Sequence, residues 1–268
     1  MTIQTRLPLT LLECSGPDIR DFLFRISTAS QSALSEAGQA WGAFLDANGK
    51  IQSDFYLWAL STEHYLLETA TPDTLLEWVE RFHFAENFEI RKIAQNPKID
   101  FPVSTISTPQ LETNSFLASR SHFKTIWNTH YLFHAETALP LSSENAWNDF
   151  RIENALPWAP NEIQNSYNPV ELGLSPLLSD KNACYPGQEV VEKIVSKGQP
   201  AQRLCRMRWN TSSPTLPDQT TIRIEENVAG VLTTQSPKGA LGVLKRRFAI
   251  LGSEVNVGSL KAVIDWVA

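Results

Sequence analysis

The densest set of reactive side chains in this 268-residue sequence is Asp180-Lys181-Asn182-Ala183-Cys184-Tyr185-Pro186-Gly187-Gln188-Glu189-Val190-Val191. A thiol, a tyrosine, a turn and two hydrogen-bonding side chains fall together there. Pro186-Gly187 makes a good turn centre, because proline presets one backbone angle and glycine accepts a positive one. Such a turn presents Cys184 on one side and Gln188 and Glu189 on the other. If Gln188 opens a helix, the nearby backbone N–H groups and Lys181 favour thiolate over thiol and make Cys184 reactive. By residue type alone, a free cysteine is more commonly a small buried hydrophobe than a reactive group.

Other chemistries have weaker support. His130 and His134 have the i, i+4 spacing of a helical metal face, but no His-Glu-x-x-His pattern is present and no metal site is expected. His64, His83 and His122 stand alone. No Gly-x-Ser-x-Gly elbow, phosphate loop or dinucleotide fingerprint occurs. The three cysteines, Cys14, Cys184 and Cys205, are too few and scattered for a disulfide framework and form no Cys-x-x-Cys pair, which fits a reducing compartment. The net charge is 23 − 29 = −6, and the one basic run, Lys245-Arg246-Arg247, is short. Direct contact with nucleic acid or an anionic membrane is therefore not expected. Leu7 to Leu12 is broken by Pro8 and Thr10 and followed by Glu13, unlike a signal peptide, and a cytoplasmic location is expected.

Several elements must position these groups. At about 150 residues per domain the length allows one large or two ordinary domains. Ile19, Phe22, Leu23 and Ile26 follow Ser15-Gly16-Pro17-Asp18 at helical spacing. Trp41–Leu45 and Ile51–Trp58 flank Asp46-Ala47-Asn48-Gly49, where Asn-Gly supplies the positive angles of a β-hairpin turn. A strand at 65–67, a helix near 73–82 and a strand at 88–93 complete an irregular alternation that predicts an α+β fold. Residues 100–140 carry no clean period, and Thr125–His134 reads as a strand pair or a short helix. Ser142-Ser143 offers a helix start, with Trp147, Phe150 and Ile152 on an apolar face and Pro157 ending the segment. The stretch 157–200 reads mainly as an irregular connector around the cysteine motif. Beyond 200, Cys205, Met207 and Trp209 point one way and Leu204, Arg206 and Arg208 the other, opening a series of short strands. A small β-barrel or sandwich of about 65 residues is expected.

The segment 181–189 resembles the Lys-x-Cys-x-x-Gly-Gln-Glu signature of the YgfZ family of folate-binding iron–sulfur cluster proteins, through Cys184, Tyr185, Gly187, Gln188 and Glu189. The resemblance extends in order along the chain. It takes in Ser15-Gly16-Pro17-Asp18 with Phe22-Leu23, Leu45-Asp46-Ala47-Asn48-Gly49-Lys50, and Trp147 with Arg151-Ile152-Glu153-Asn154-Ala155-Leu156-Pro157. Tyr167-Asn168-Pro169 and Ala229-Gly230-Val231-Leu232-Thr233 continue it. The chain departs from the family where Asn182 replaces its lysine, leaving Lys181 one residue further from the cysteine, and where Asn154-Ala155 replaces Ala-Gly. A tryptophan that some members carry before the first helix is absent, with Leu9 nearest.

The resemblance implies the fold shared with the glycine-cleavage aminomethyltransferase: an α+β folate-binding body around a central hole, plus a small C-terminal β-barrel. On this reading residues 1–200 form the folate-binding region, in two lobes divided near residue 100, and residues 201–268 the barrel. It implies tetrahydrofolate or a one-carbon derivative as cofactor. The implied partners are iron–sulfur client enzymes such as those that thiolate tRNA, with no direct nucleic acid and no membrane.

A reduced pterin presents adjacent ring N–H and amino donors, which a carboxylate accepts as a pair. Glu153 is the candidate, as the resemblance also implies; without the resemblance it reads as a helix-surface glutamate with no special contact. Trp147 is the candidate to stack on the pterin or aminobenzoyl ring or else is core, Arg151 orients Glu153 or lies in solvent, and Lys50 is the candidate cation for the glutamyl tail. Gln188 and Glu189 brace the motif loop. The leading expectation is a tetrahydrofolate-binding accessory protein for iron–sulfur cluster assembly or repair, with Cys184 near the folate. The alternatives are a folate-dependent one-carbon transferase of the aminomethyl type, which would not need the cysteine motif, and a non-catalytic folate-gated interaction module. Whether the chain is an enzyme stays open at this level.

Overall fold

β1 (Ile3–Arg6), β2 (Thr10–Ser15) and α1 (Ile19–Ile26) open the chain in a computed structural model that describes residues 3–6, 9–95, 98–101, 115–122, 127–134, 144–178, 184–210, 216–217 and 219–268. α1 forms at the predicted spacing and buries Ile19, Phe22, Leu23 and Ile26. α2 (Gln31–Ala37) carries no apolar period in the sequence, because Leu34 is the one buried side chain among those described on it. Caps define it instead: Ser30 Oγ accepts from Ala33 N at 3.2 Å, and Gly38 closes it at φ 68°.

β3 (Gln39–Leu45) and β4 (Ile51–Ala59) form the predicted hairpin, followed by β5 (His64–Thr69), α3 (Pro72–Phe82) and β6 (Glu89–Gln95). These strands make a five-stranded sheet in the order β3-β4-β5-β2-β6. The segment that lacked the features of a signal peptide thus contributes a central strand, with Leu11, Leu12 and Cys14 buried.

β7 (Lys98–Phe101), β8 (Ser115–His122) and β9 (Trp127–His134) join β1 in a second sheet, ordered β1-β7-β9-β8. Over Trp127–His134 the chain is a strand, paired antiparallel to β7 and β8, and the short-helix alternative fails there. Aromatic and β-branched residues suit the pleated surface, so His130 and His134 do not have the helical relation their spacing allowed. Thr125 and the predicted helix start at Ser142-Ser143 lie outside the described residues.

α4 (Glu144–Glu153) precedes the segment 157–200 read mainly as a connector, and α5 (Gln188–Lys197), opening at Gln188, lies within it. A ten-residue helix there corrects that reading. Only Val191 is buried along α5, which explains the missing apolar period. β10 (Gln202–Trp209), β11 (Thr221–Ile224), β12 (Asn227–Ser236), β13 (Gly239–Lys245), β14 (Glu254–Val257) and β15 (Leu260–Val267) close into a six-stranded barrel, ordered β10-β13-β12-β11-β14-β15. Cys205 and Met207 face its core with Ile222, Leu232, Val255 and Ile264, as the alternation required. Closure decides between barrel and sandwich by pairing every edge.

The chain separates into two compact units, neither continuous in sequence. One comprises Met1–Gly42, Asp54–Ser143 and Ser179–Ala183; the other comprises Ala43–Ser53, Glu144–Leu178 and Cys184–Ala268. Among the described residues no helix is long and apolar enough to cross a membrane.

Candidate functional site

In the second unit the cysteine motif is a turn locked onto the hairpin tip. Gly187, at φ 78°, precedes α5, and its carbonyl accepts from Val191 N. In the hairpin turn Asp46 Oδ1 accepts from the N–H groups of Asn48 and Lys50, each at 2.9 Å, while Gly49 adopts φ 72°. The two turns meet backbone to backbone: a Cβ on Gly187 would lie 2.2 Å from the Asp46 carbonyl oxygen and 2.8 Å from Gly49 Cα. Glycine is required at Gly187 both by its positive φ and by this approach.

Lys50, the candidate cation for a glutamyl tail, is engaged elsewhere. Its Nζ lies 3.0 Å from Oε2 of the buried Glu171. The same oxygen accepts from Asn168 N, and Asn168 Oδ1 accepts from Glu171 N, both at 3.0 Å. This reciprocal pair makes Glu171 an anchor that the sequence reading did not single out. Its local signal was the i, i+3 Asn-Glu spacing in Asn168-Pro169-Val170-Glu171.

Cys184 is exposed immediately before the turn. Tyr185 is half-buried, and burial pushes its phenol up to about 12, so it is neutral at pH 7. Gln188 Nε2 donates to Glu192 Oε1 at 2.7 Å, one helical turn on, and Glu189 is exposed. Lys181 lies outside the described residues. Burial also pushes the Cys14 and Cys205 thiols up to about 12, leaving them protonated and inaccessible. A maleimide titration at pH 7.5 is therefore expected to modify one thiol in the folded protein and three in denaturant. Cys184→Ala should abolish the native-state reaction, and labelling of a second thiol in the folded chain would contradict this burial.

The other candidate residues gather at α4. Trp147 is buried, and its ring meets that of Trp158 edge-on, with centroids 4.9 Å apart. Arg151 neither orients Glu153 nor reaches solvent, the two roles weighed from sequence. It is 2% exposed and donates through Nη1 to Glu162 Oε2 (2.7 Å) and through Nη2 to Asn148 Oδ1 and Thr234 Oγ1 (both 2.9 Å). Glu162, wholly buried, also accepts from Thr234 Oγ1 and Trp158 N. A buried charge demands such partners, and these lie on α4, in the loop after it and on β12.

Glu153 is the last residue of α4, which ends in a Schellman cap. Leu156 N donates to Arg151 O at 2.8 Å and Ala155 N to Ile152 O at 3.1 Å, with Ala155 at φ 51°. Ala155 thus occupies, in the left-handed region, the place where the resembled family has glycine. Ala155→Gly is expected to raise stability by about 0.5–1 kcal/mol, since relief of the left-handed penalty exceeds loss of one buried methyl. Urea denaturation reads this directly; a lower midpoint would contradict it.

The Glu153 side chain is 67% exposed and lines a cleft of about 190 Å³ with Ile152, Arg206, Met207, Arg208 and Lys238. Arg206 Nη1 donates to the Glu153 carbonyl, and Arg206 and Arg208 share the carboxylate of Asp265. Lys238 Nζ stands 3.9 Å from Glu153 Oε2. The exposed oxygens of Glu153 can accept a pair of N–H donors, with a cation alongside.

No family model matches the chain. It is 25% identical over 293 residues to a chloroplastic protein of Arabidopsis thaliana named "putative transferase". That match takes in 92% of this chain, which spans 66% of the relative's length. Among solved structures, the glycine cleavage system aminomethyltransferase T from Bartonella henselae superposes with a TM-score of 0.77 at 16% identity, covering 99% of this chain and 85% of the other. The protein has an aminomethyltransferase-like fold that includes a closed six-stranded barrel.

Proposed function

We propose that the protein binds a tetrahydrofolate and serves as an accessory factor in assembly or repair of iron–sulfur clusters, with enzymes such as those that thiolate tRNA as clients. The observation that carries this reading is the exposed Cys184, held before a turn that Gly187 and Gly49 lock together, on an aminomethyltransferase-like fold. A buried structural cysteine has no use for such a mount.

The cleft at Glu153 fits the ring end of a reduced folate. Its carboxylate reaches solvent and matches the adjacent N–H donors of a pterin, while Ile152 and Met207 supply apolar wall. At about 190 Å³ it is smaller than the ~300 Å³ or more of sites that hold a drug-sized ligand. It therefore suits one ring system, with the remainder of the ligand outside. Trp147 contributes from the core by packing α4 against Trp158, and Lys50 by holding the hairpin tip through Glu171. When bound, tetrahydrofolate supplies a carrier for a one-carbon unit. Cys184 offers a sulfur that solvent and a client can reach, Tyr185 stays protonated beside it, and Gly187 sets where α5 begins.

Tryptophan fluorescence titration with tetrahydrofolate tests the reading. Saturable binding is expected, and Glu153→Gln should weaken it about 10- to 100-fold, the value of a charge-assisted hydrogen bond. Absence of binding by the native chain would overturn the proposal. Cys184→Ala should retain folate affinity while losing support of client enzymes. Retention of both would instead favour a folate-dependent one-carbon transferase, which does not need the cysteine motif.

A further inference from the structure

The β12–β13 turn sets a second charged side chain beside Glu153. Ser236 pairs with Gly239, leaving Pro237 and Lys238 as a two-residue loop, and Ser236 Oγ accepts from Lys238 N at 3.1 Å. Gly239 lets that loop close down: a Cβ there would lie 2.6 Å from the Met207 carbonyl oxygen and 3.3 Å from Ile152 Cγ2. Lys238 Nζ is thereby held 3.9 Å from Glu153 Oε2 and 3.8 Å from Asp149 Oδ2, near both carboxylates but beyond hydrogen-bond length from either. Its donors remain available to a ligand. Ammonium and carboxylate side by side present a donor next to two acceptors.

The edge of a 4-oxo pterin presents the complement in order: an acceptor at O4, a donor at N3–H and donors at the 2-amino group. Building on the folate-binding reading above, we propose that Lys238 determines specificity by donating to O4 of a 4-oxo pterin whose N3–H and 2-amino group face Glu153. The site thereby selects 4-oxo over 4-amino pteridines. In a 2,4-diaminopteridine an amino group replaces O4 and N3 carries a lone pair instead of a hydrogen, so the ammonium meets a donor and Glu153 loses one of its two donors; the Lys238 variants separate the first effect from the second. That repulsive element discriminates as strongly as the attractive one.

The full chain is titrated with tetrahydrofolate and with its 2,4-diamino analogue, read by tryptophan fluorescence. The native protein is expected to prefer the 4-oxo compound by about tenfold or more, as a site built around a ligand hydrogen bond does. Lys238→Met should weaken the 4-oxo compound about tenfold and leave the diamino compound within about twofold, whereas Lys238→Glu should shift preference toward the diamino compound. Equal binding of both ligands by the native chain, or equal weakening of both by Lys238→Met, overturns the assignment of Lys238 while leaving folate binding intact. Binding of neither ligand removes the folate reading together with it. Unchanged thermal melts of the two variants establish that the comparison concerns the cleft and not the fold.

Discussion

Arg151→Met is expected to destabilise the protein by about 3–5 kcal/mol, the cost of leaving one member of a buried ion pair without its partner. Glu162 would keep Thr234 Oγ1 and Trp158 N as donors, but its charge would lie in a site with no solvent access. Neutralising Glu162 as well, in the Arg151→Met/Glu162→Gln double variant, should recover part of the loss, because the remaining cost is then hydrogen bonds and packing. Urea denaturation of the two single variants and the double variant yields the coupling energy. A single-variant loss below about 1 kcal/mol, the range of a surface pair, would contradict the buried geometry. Stability is the correct readout, since the guanidinium touches the network on α4, the following loop and β12 and not the cleft that Glu153 lines.

Gly187→Ala is expected to cost about 2–5 kcal/mol, from two additive sources. Placing an L side chain at φ 78° costs roughly 1–2 kcal/mol. The new methyl would also overlap the Asp46 carbonyl and the Gly49 backbone, and forcing apart well-packed backbone costs about 1–3 kcal/mol more. Gly198 provides the control. It closes α5 at φ 59°, and a Cβ there would meet nothing within 4 Å, so Gly198→Ala should cost only the conformational part, about 1 kcal/mol. Comparable losses at the two glycines would mean that the contact between the motif turn and the hairpin tip contributes nothing.

Much of the fold was legible because it is written locally. α1, the hairpin at Asp46-Ala47-Asn48-Gly49 and the alternation from Leu204 to Trp209 all follow from spacings of two to four residues, and each formed where expected. α2 escaped, and α5 was foreshadowed only as a helix opening at Gln188, because they bury one side chain each among those described, and caps carry no apolar period. β2 escaped because a strand buried on both faces lacks alternation. The candidate site divides in the same way. Cys184 and Gly187 stood out through a turn motif, whereas Glu171, Glu162 and Lys238 are ordinary acidic or basic residues until the chain brings partners to them.

The positions of the motif turn and the hairpin turn, the alternation of strands beyond residue 200 and the placing of one of the three cysteines in a motif are all written in the order of residues. These depend on backbone angles and side-chain periodicity within a few residues. The tertiary structure alone decided that Lys50 pairs with Glu171, 121 residues away, and that Arg151 pairs with Glu162 and Thr234. It also decided that Cys14 and Cys205 are buried while Cys184 is exposed, and that Lys238 stands beside Glu153. The partner of a charge, and the burial of a thiol, are set by whichever distant segments pack against it.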